Sequence, residues 1–408
     1  MYGSGIEIPQ VSFASIDCSQ IAAGSYFIGF NLDAAGILSK MDSFGTITVI
    51  EGAGGGGVID VGSGTGSTYR IDLGNTASGY YSTVSGGYNN TASGYASTIA
   101  GGYYNSAGAI GDLNSVGGGY CNTASSYYTT VAGGAYNSAE TDYSTVSGGY
   151  SNTAFGIAAT VSGGYLNSAT NSGSTVVGGV NNTNSSYFSF IGGGSNNTIS
   201  SYYGYSTIAG GYKNTASSYY GYETIGGGSN NNASGNGSTV AGGAYNTASG
   251  YYGATIGGGF CNTASGRYST IAGGNSNSAI CDWTTIGGGQ GNQANSYSAT
   301  IAGGCNNYTC CGQWQFIGGG FANTVSGMYA TIAGGCCNQV AGTGSAVLGG
   351  MCNIITYGCS MIIGNNITAD SACTTFVNKL SIKNIPTSAA GLCSGMLWSS
   401  GGAICIVP

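Results

Sequence analysis

Three kinds of side chain in this sequence could do chemistry: cysteines, carboxylates and tyrosines. The 14 Cys include Cys121, Cys261, Cys337 and Cys352, which share one place in a repeating unit. Thiols can ligate a soft metal, close a disulfide or act as small apolar filler. On adjacent units Cys337 and Cys352 would be staples in an oxidising compartment and plain substitutes for Asn, Ser or Tyr in a reducing one. Glu140 and Asp142, two residues apart, could form a carboxylate pair or cation site, or a solvated rim. The 13 acidic residues are otherwise scattered, with no pair at a repeat-phased position. There is no His, which removes Ser-His-Asp, Cys-His and most zinc designs. The run Gly52-Ala53-Gly54-Gly55-Gly56-Gly57 lacks the Lys-Ser/Thr and helix of a phosphate loop, and is expected to be a linker. The expectation is a protein that is not an enzyme, with no catalytic residue, no cofactor and no metal.

The 32 Tyr are the richer candidates. Amphipathic rings suit sugar stacking and partner contacts, and they equally suit ladders that stiffen a stack. Three Tyr-rich segments carry extra residues relative to the repeat: Tyr202-Tyr203-Gly204-Tyr205, Tyr219-Tyr220-Gly221-Tyr222 and Tyr251-Tyr252-Gly253. Insertions in repeat proteins collect in loops on one face, often the binding face. Tyr203, Tyr205, Tyr220, Tyr222 and Tyr252 are therefore the candidate recognition residues.

What positions them is a short repeat. Each unit is anchored on a Val or Ile before a small-Gly-Gly turn: Val84, Ile99, Val116, Val131, Val146, Val161, Val176, Ile191, Ile208, Ile225, Val240, Ile256, Ile271, Ile286, Ile301, Ile317, Ile332, Val347 and Ile362. Of the 18 intervals, 13 are 15 residues long, two are 16 and three are 17. Six residues after each anchor stands an Asn, beginning Asn90, Asn105, Asn122, Asn137, Asn152 and Asn167 and holding through Asn353. Mostly Ala follows two residues later. A unit this short buries one β-branched side chain and one Ala, so it can be stable only by stacking on its neighbours. The fold expected is all-β: a parallel β-solenoid of about 19 rungs with a Val/Ile core ladder, an Asn side-chain ladder at the turn and positive φ at the Gly-Gly corner. So thin a core would be helped by side-by-side copies, and a homotrimer is expected.

Composition agrees. Gly is 81 of 408 residues and Pro only 3, without the every-third-residue Gly of collagen. The apolar fraction of 41% and net charge of −7 are unlike a disordered chain. Six Lys and Arg cannot form a phosphate-tracking stripe, so no nucleic-acid partner is expected. No run of 18 apolar residues exists, so no membrane insertion by a helix is expected, and residues 1–7 lack the basic start of a secretory signal.

The unit Ser-Thr-Val/Ile-x-Gly-Gly-x-x-Asn-x-Ala-Ser-Gly resembles the head repeats of trimeric autotransporter adhesins, and related repeats of phage and large-virus fibres. The resemblance covers residues 69–368 and implies a left-handed parallel β-roll in an intertwined trimer. The flanks resemble fibre modules: Gly24–Phe30 with Leu38–Asp42 and Gly45–Ile50 at one end, and Leu380–Leu392 with Gly395–Trp398 at the other. Alternating apolar residues predict strands at 46–50 and 403–407. The organisation expected is a β cap and attachment module with its Gly-rich linker at 1–68, the solenoid at 69–368, and a C-terminal β cap or trimerisation segment at 369–408. The resemblance implies a structural virion fibre that attaches to a host-surface glycan or protein, with itself and a virion attachment protein as partners and the virion surface as its place. The alternatives are a cell-surface adhesin or self-assembling extracellular filament, the latter by head-to-tail contacts. A third is an ice-binding solenoid, because a Thr column (Thr83, Thr98, Thr130, Thr145) precedes the anchors.

Overall fold

The computed structural model describes residues 10–11, 26–31, 37–42, 47–49, 59–61, 68–70, 74–381, 385–400 and 403–407. Residues 1–7 and the glycine run at 52–57 lie outside these described residues. The chain forms two compact units, Met1–Ala135 and Tyr136–Pro408. Both are all-β, with no helix among the described residues, and the strands make about 20 turns.

In the first unit, Tyr26–Asn31 pairs antiparallel with Ile37–Asp42, which pairs antiparallel with Ile47–Val49. The alternation at 46–50 thus holds a strand, at Ile47–Val49. Thr68–Arg70 pairs antiparallel with Ile59–Val61 on one side and parallel with Thr83–Val84 on the other, which starts the stack.

Most turns of the stack have two strands of two residues. Thr83–Val84 lies parallel to Thr98–Ile99, and Thr91–Ala92 to Ser106–Ala107, so like residues of successive turns lie directly over one another. β-branched Thr, Val and Ile suit these pleated segments, and the period of 2 sends Thr outward and Val or Ala inward. All 19 anchors occupy the second position of such a strand, and all are buried to 2% exposure or less.

The interior is more polar than a lone Val/Ile and Ala ladder. Two residues before the anchors a third inward column runs through Ser82, Ser97, Asn114, Thr129 and their counterparts, all buried. Turn carbonyls accept from some of these hydroxyls, Ser269 Oγ donating to Gly266 O at 2.7 Å and Thr284 Oγ1 to Cys281 O at 2.8 Å, while Ser82, Ser144 and Ser238 Oγ have no hydrogen-bond partner.

Two corners per turn carry the left-handed backbone. The Gly-Gly corner does so as expected: a Cβ on Gly149 (φ +88°) would lie 2.2 Å from Gly164 O, so only glycine lets the next turn approach. Non-glycine residues do so too, five residues after the anchor (Asn89, Tyr104, Cys121) and three before it (Tyr81, Leu113, Tyr128). Such conformations cost roughly 1–3 kcal/mol each. They recur because the αL residue reverses its N–H. Most turn amides donate to the following rung, as Thr83 N does to Ser97 O at 2.9 Å, whereas Cys121 N donates back to Tyr103 O at 2.8 Å. The reversal satisfies corner carbonyls that would otherwise lack a donor.

The second unit repeats this arrangement to its last stacked strand, Thr375–Val377, paired with Met361–Ile363. Leu397–Ser400 and Ala403–Ile406 then form an antiparallel pair, where alternation predicted a strand at 403–407. Longer turns are not confined to Tyr-rich segments. The turn after Ile99 enlarges through Gly108–Asp112, and the one after Ile301 through a strand, Tyr308–Gln313.

Candidate functional site: a tyrosine lattice on enlarged rungs

The Asn column sets the platform. Asn152 N and Nδ2 donate to Asn137 Oδ1 at 3.0 and 3.1 Å, and the same Nδ2 donates to Gly148 O and Gly164 O at 2.9 Å each. Asn90, Asn105 and Asn167 hold equivalent bonds, and Asn122 and Asn137 bond to Gly134 O and Gly149 O. All six are buried. An Asn can do this because it offers a donor pair and an acceptor on one short arm. One amide therefore ties its own turn, the rung before and the rung after.

On this platform two consecutive turns are enlarged to 17 residues, between the anchors Ile191, Ile208 and Ile225. The strands keep register: Ile191 lies over Ile208 and Ile208 over Ile225. All the added length falls at one corner, in two copies of Ser-Ser-Tyr-Tyr-Gly-Tyr, Ser200–Tyr205 and Ser217–Tyr222. Because the copies are vertically aligned, their rings stack pairwise. Tyr202 and Tyr219 are 5.2 Å apart at an interplanar angle of 0°, Tyr203 and Tyr220 5.9 Å and 11°, Tyr205 and Tyr222 5.4 Å and 9°. Within each copy neighbouring rings meet edge to face, as Tyr202 and Tyr203 do at 5.0 Å. Phe188 extends the last column at 5.6 Å from Tyr205. All these rings are exposed.

The lattice is bordered by grooves. One of about 430 Å³ is lined by Tyr220, Tyr222, Asn236, Gly237 and Tyr252, which brings three of the candidate recognition residues together. Its cause is local. Three residues before the anchors the column runs Phe188, Tyr205, Tyr222, then Gly237 and Gly253, then Tyr268. The two glycines remove rings where the column would continue, and a Cβ on Gly237 would meet no atom within 4 Å. Tyr203 lines a different groove of about 490 Å³ with Tyr187, Tyr202, Asn171, Ser185, Ser200 and Ser201. Tyr205 lines neither groove and is stacked in its column between Phe188 and Tyr222. The walls thus combine aromatic faces with hydroxyls and a side-chain amide, the surface that carbohydrate rings and planar groups stack on. The Tyr219 phenol is held above its ordinary pKa, first by its hydrogen bond with Tyr203 and then by that neighbour's charge.

Beneath the lattice sits a carboxylate that sequence reasoning missed. Glu223 occupies the inward column where Ser or Thr is usual, and it is fully buried. Ser201 Oγ donates to Glu223 Oε2 at 2.6 Å, and Ser206 Oγ hydrogen-bonds the same oxygen. Oε1 has no hydrogen-bond partner. The carboxylate ties the base of one enlarged corner to the next. Aligning the column two residues before the anchors would have exposed it as the one acidic residue there.

The other candidates are dispersed. Glu140 is exposed and Asp142 half-buried, and no group of three metal-ligating side chains occurs among the described residues. Cys121, Cys261, Cys337 and Cys352 all take the αL corner position, with φ of 52–57°, and all are free thiols. Cations sit singly on rings: Lys213 Nζ is 5.1 Å from the Tyr212 centroid and Arg267 5.9 Å from that of Tyr251.

Residues 82–94, one unit of the first stack, match the family model of the ubiquitous surface protein adhesin repeat. No curated protein sequence matches the chain.

Proposed function

We propose that this chain is the shaft and recognition surface of a homotrimeric adhesive fibre, which holds a host-surface glycan non-covalently in the tyrosine-lined grooves and catalyses no reaction. The observation that carries the reading is the groove between Tyr222 and Tyr252. It is the place where a continuous ring column is interrupted by glycines, leaving aromatic walls with Asn236 between them. Sugar recognition asks for flat apolar faces with a few fixed polar groups, and charge contributes little to it. The adhesin-repeat match at 82–94 supports a surface role and the cell surface as its place. The resemblance of the flanking segments to fibre modules supports the virion surface as the second placement, with a virion attachment protein as the docking partner.

The test uses two substitutions that leave the stack intact. Tyr222→Ala removes one wall. Gly237→Tyr fills the groove at an αL position (φ +62°) of the kind Tyr222 itself occupies (φ +68°). Both should lose glycan-array and host-cell binding by tenfold or more, an expectation of about 1.4 kcal/mol, while circular dichroism is unchanged. Retained binding in both variants rejects the groove. Native mass spectrometry decides the oligomer: a clean monomer at micromolar concentration rejects the trimer.

A further inference from the structure

The last rungs of the second stack place cysteines over one another at both corners. At one corner Cys337 (φ 57°) and Cys352 (φ 53°) occupy the same position of successive turns. Cys336 bridges in parallel to Met351, and Cys352 N donates to Cys336 O at 2.9 Å. Stacked residues of adjacent parallel strands are about 4.8 Å apart at the backbone. That spacing lies inside the window of about 4.4–6.8 Å between Cα atoms of disulfide-bonded cysteines. The side chains already meet: Cys336 Sγ lies 3.1 Å from Cys337 Sγ, and the Cys337 thiol hydrogen-bonds with both Cys336 and Cys352. At the other corner Cys359 (φ 58°) and Cys373 (φ 56°) are likewise stacked and exposed, with Cys373 N donating to Gly358 O at 3.1 Å. Sequence neighbours such as Cys336 and Cys337 have Cα atoms about 3.8 Å apart. That is below the disulfide window, so bonds across rungs are favoured over vicinal ones.

We propose that the C-terminal rungs are an oxidation site, with one inter-rung disulfide at each corner: Cys337 to Cys352, and Cys359 to Cys373. The oxidant is a small-molecule disulfide. One thiolate of a pair attacks it and expels a thiolate, giving a mixed disulfide. The second thiolate of the pair then displaces the remaining small thiol. Each bond passes two electrons and two protons to the oxidant, which leaves as two thiols. The bonds tie together the turns anchored at Ile332, Val347 and Ile362, where a stack has neighbours to lose and frays first.

The experiment starts from the full chain purified reduced and incubated with oxidised glutathione. Pepsin digestion and mass spectrometry should find peptides joining Cys337 to Cys352 and Cys359 to Cys373, with these four thiols gone from the free count. Amide exchange over 347–377 should slow on oxidation. Cys352→Ser with Cys373→Ser should fold alike and show no such slowing. Glutathione adducts alone, a Cys336–Cys337 link, links between chains, or four unreacted thiols would each overturn the assignment.

Discussion

The regular turns from Val146 to Val176 and the enlarged turns from Ile191 to Ile225 are built on the same ladder yet present different surfaces. The Asn-to-Asn bond is 3.0 Å across a 15-residue gap, from Asn167 N to Asn152 Oδ1. It is also 3.0 Å across a 17-residue gap, from Asn214 N to Asn197 Oδ1. Rung spacing is therefore set by the strands and the amide ladder, and the remaining corner is free to grow. Growth there produces the tyrosine lattice and its grooves. The ladder and the ring-bearing surface are separated by position within each turn.

That separation can be broken in graded ways. The largest effect should come from the Gly-Gly corner, and it should be equal in both regions. A Cβ at Gly164 or Gly211 would lie 2.2 Å from the carbonyl of the next turn, with φ of +93° and +97°. Gly164→Ala and Gly211→Ala should each cost roughly 3–5 kcal/mol in urea unfolding, from backbone strain plus overpacking. A mild effect at Gly211 alone would mean that enlarged turns are spaced differently. Next come Asn167→Ala and Asn214→Ala, which strand a neighbouring N–H and the carbonyl of Gly163 or Gly210. About 2–4 kcal/mol is expected for each, read as faster amide exchange in the rungs on both sides. Glu223→Ala should act only in the enlarged region. It deprives two buried serine hydroxyls of their acceptor, for about 1–3 kcal/mol, with exchange rising at 200–206 and not at 152–167. Tyr222→Ala should barely move stability, by about 0.5–1.5 kcal/mol for its ring pair with Tyr205, which a melt of the full chain would show as a small shift. The smallest effect is spectroscopic. Because its hydrogen bond to Tyr203 favours the neutral phenol, Tyr219 should lose its proton at higher pH than an isolated tyrosine. Tyr203→Phe should bring that titration down, measured by carbon NMR of labelled tyrosine.

The columns were legible in the sequence because each inward position repeats once per turn. Val146, Val161 and Val176, or Asn152 and Asn167, differ from their neighbours in type and recur at one interval. Two things were not legible. The left-handed backbone at Tyr205, Cys352 or Leu166 has no residue signature. It is imposed by the reversed N–H of the corner, so any side chain that can point outward is accepted there. The polar third column escaped because Ser is as common on the surface as inside, and only the fold shows that Ser206 and Ser269 point inward. Glu223 went with it. The tyrosine segments were readable as insertions, but the groove depends on absent rings at Gly237 and Gly253, and an absence is visible only once the column is aligned.

The amide ladder also has a direction, and it comes to a stop. In the second unit each Asn from Asn137 onward offers its oxygen to the residue that follows one turn later. At the far end Asn353 gives that oxygen to the backbone N–H of Ile367, at 3.1 Å, and Ile367 itself stands where the next Asn would be, since Thr368 lies over Ile354. The final acceptor is thus already taken by the chain itself. Through this ladder the last link is made to a backbone amide and not to another side-chain amide, so the run of asparagines ends on the chain's own main chain.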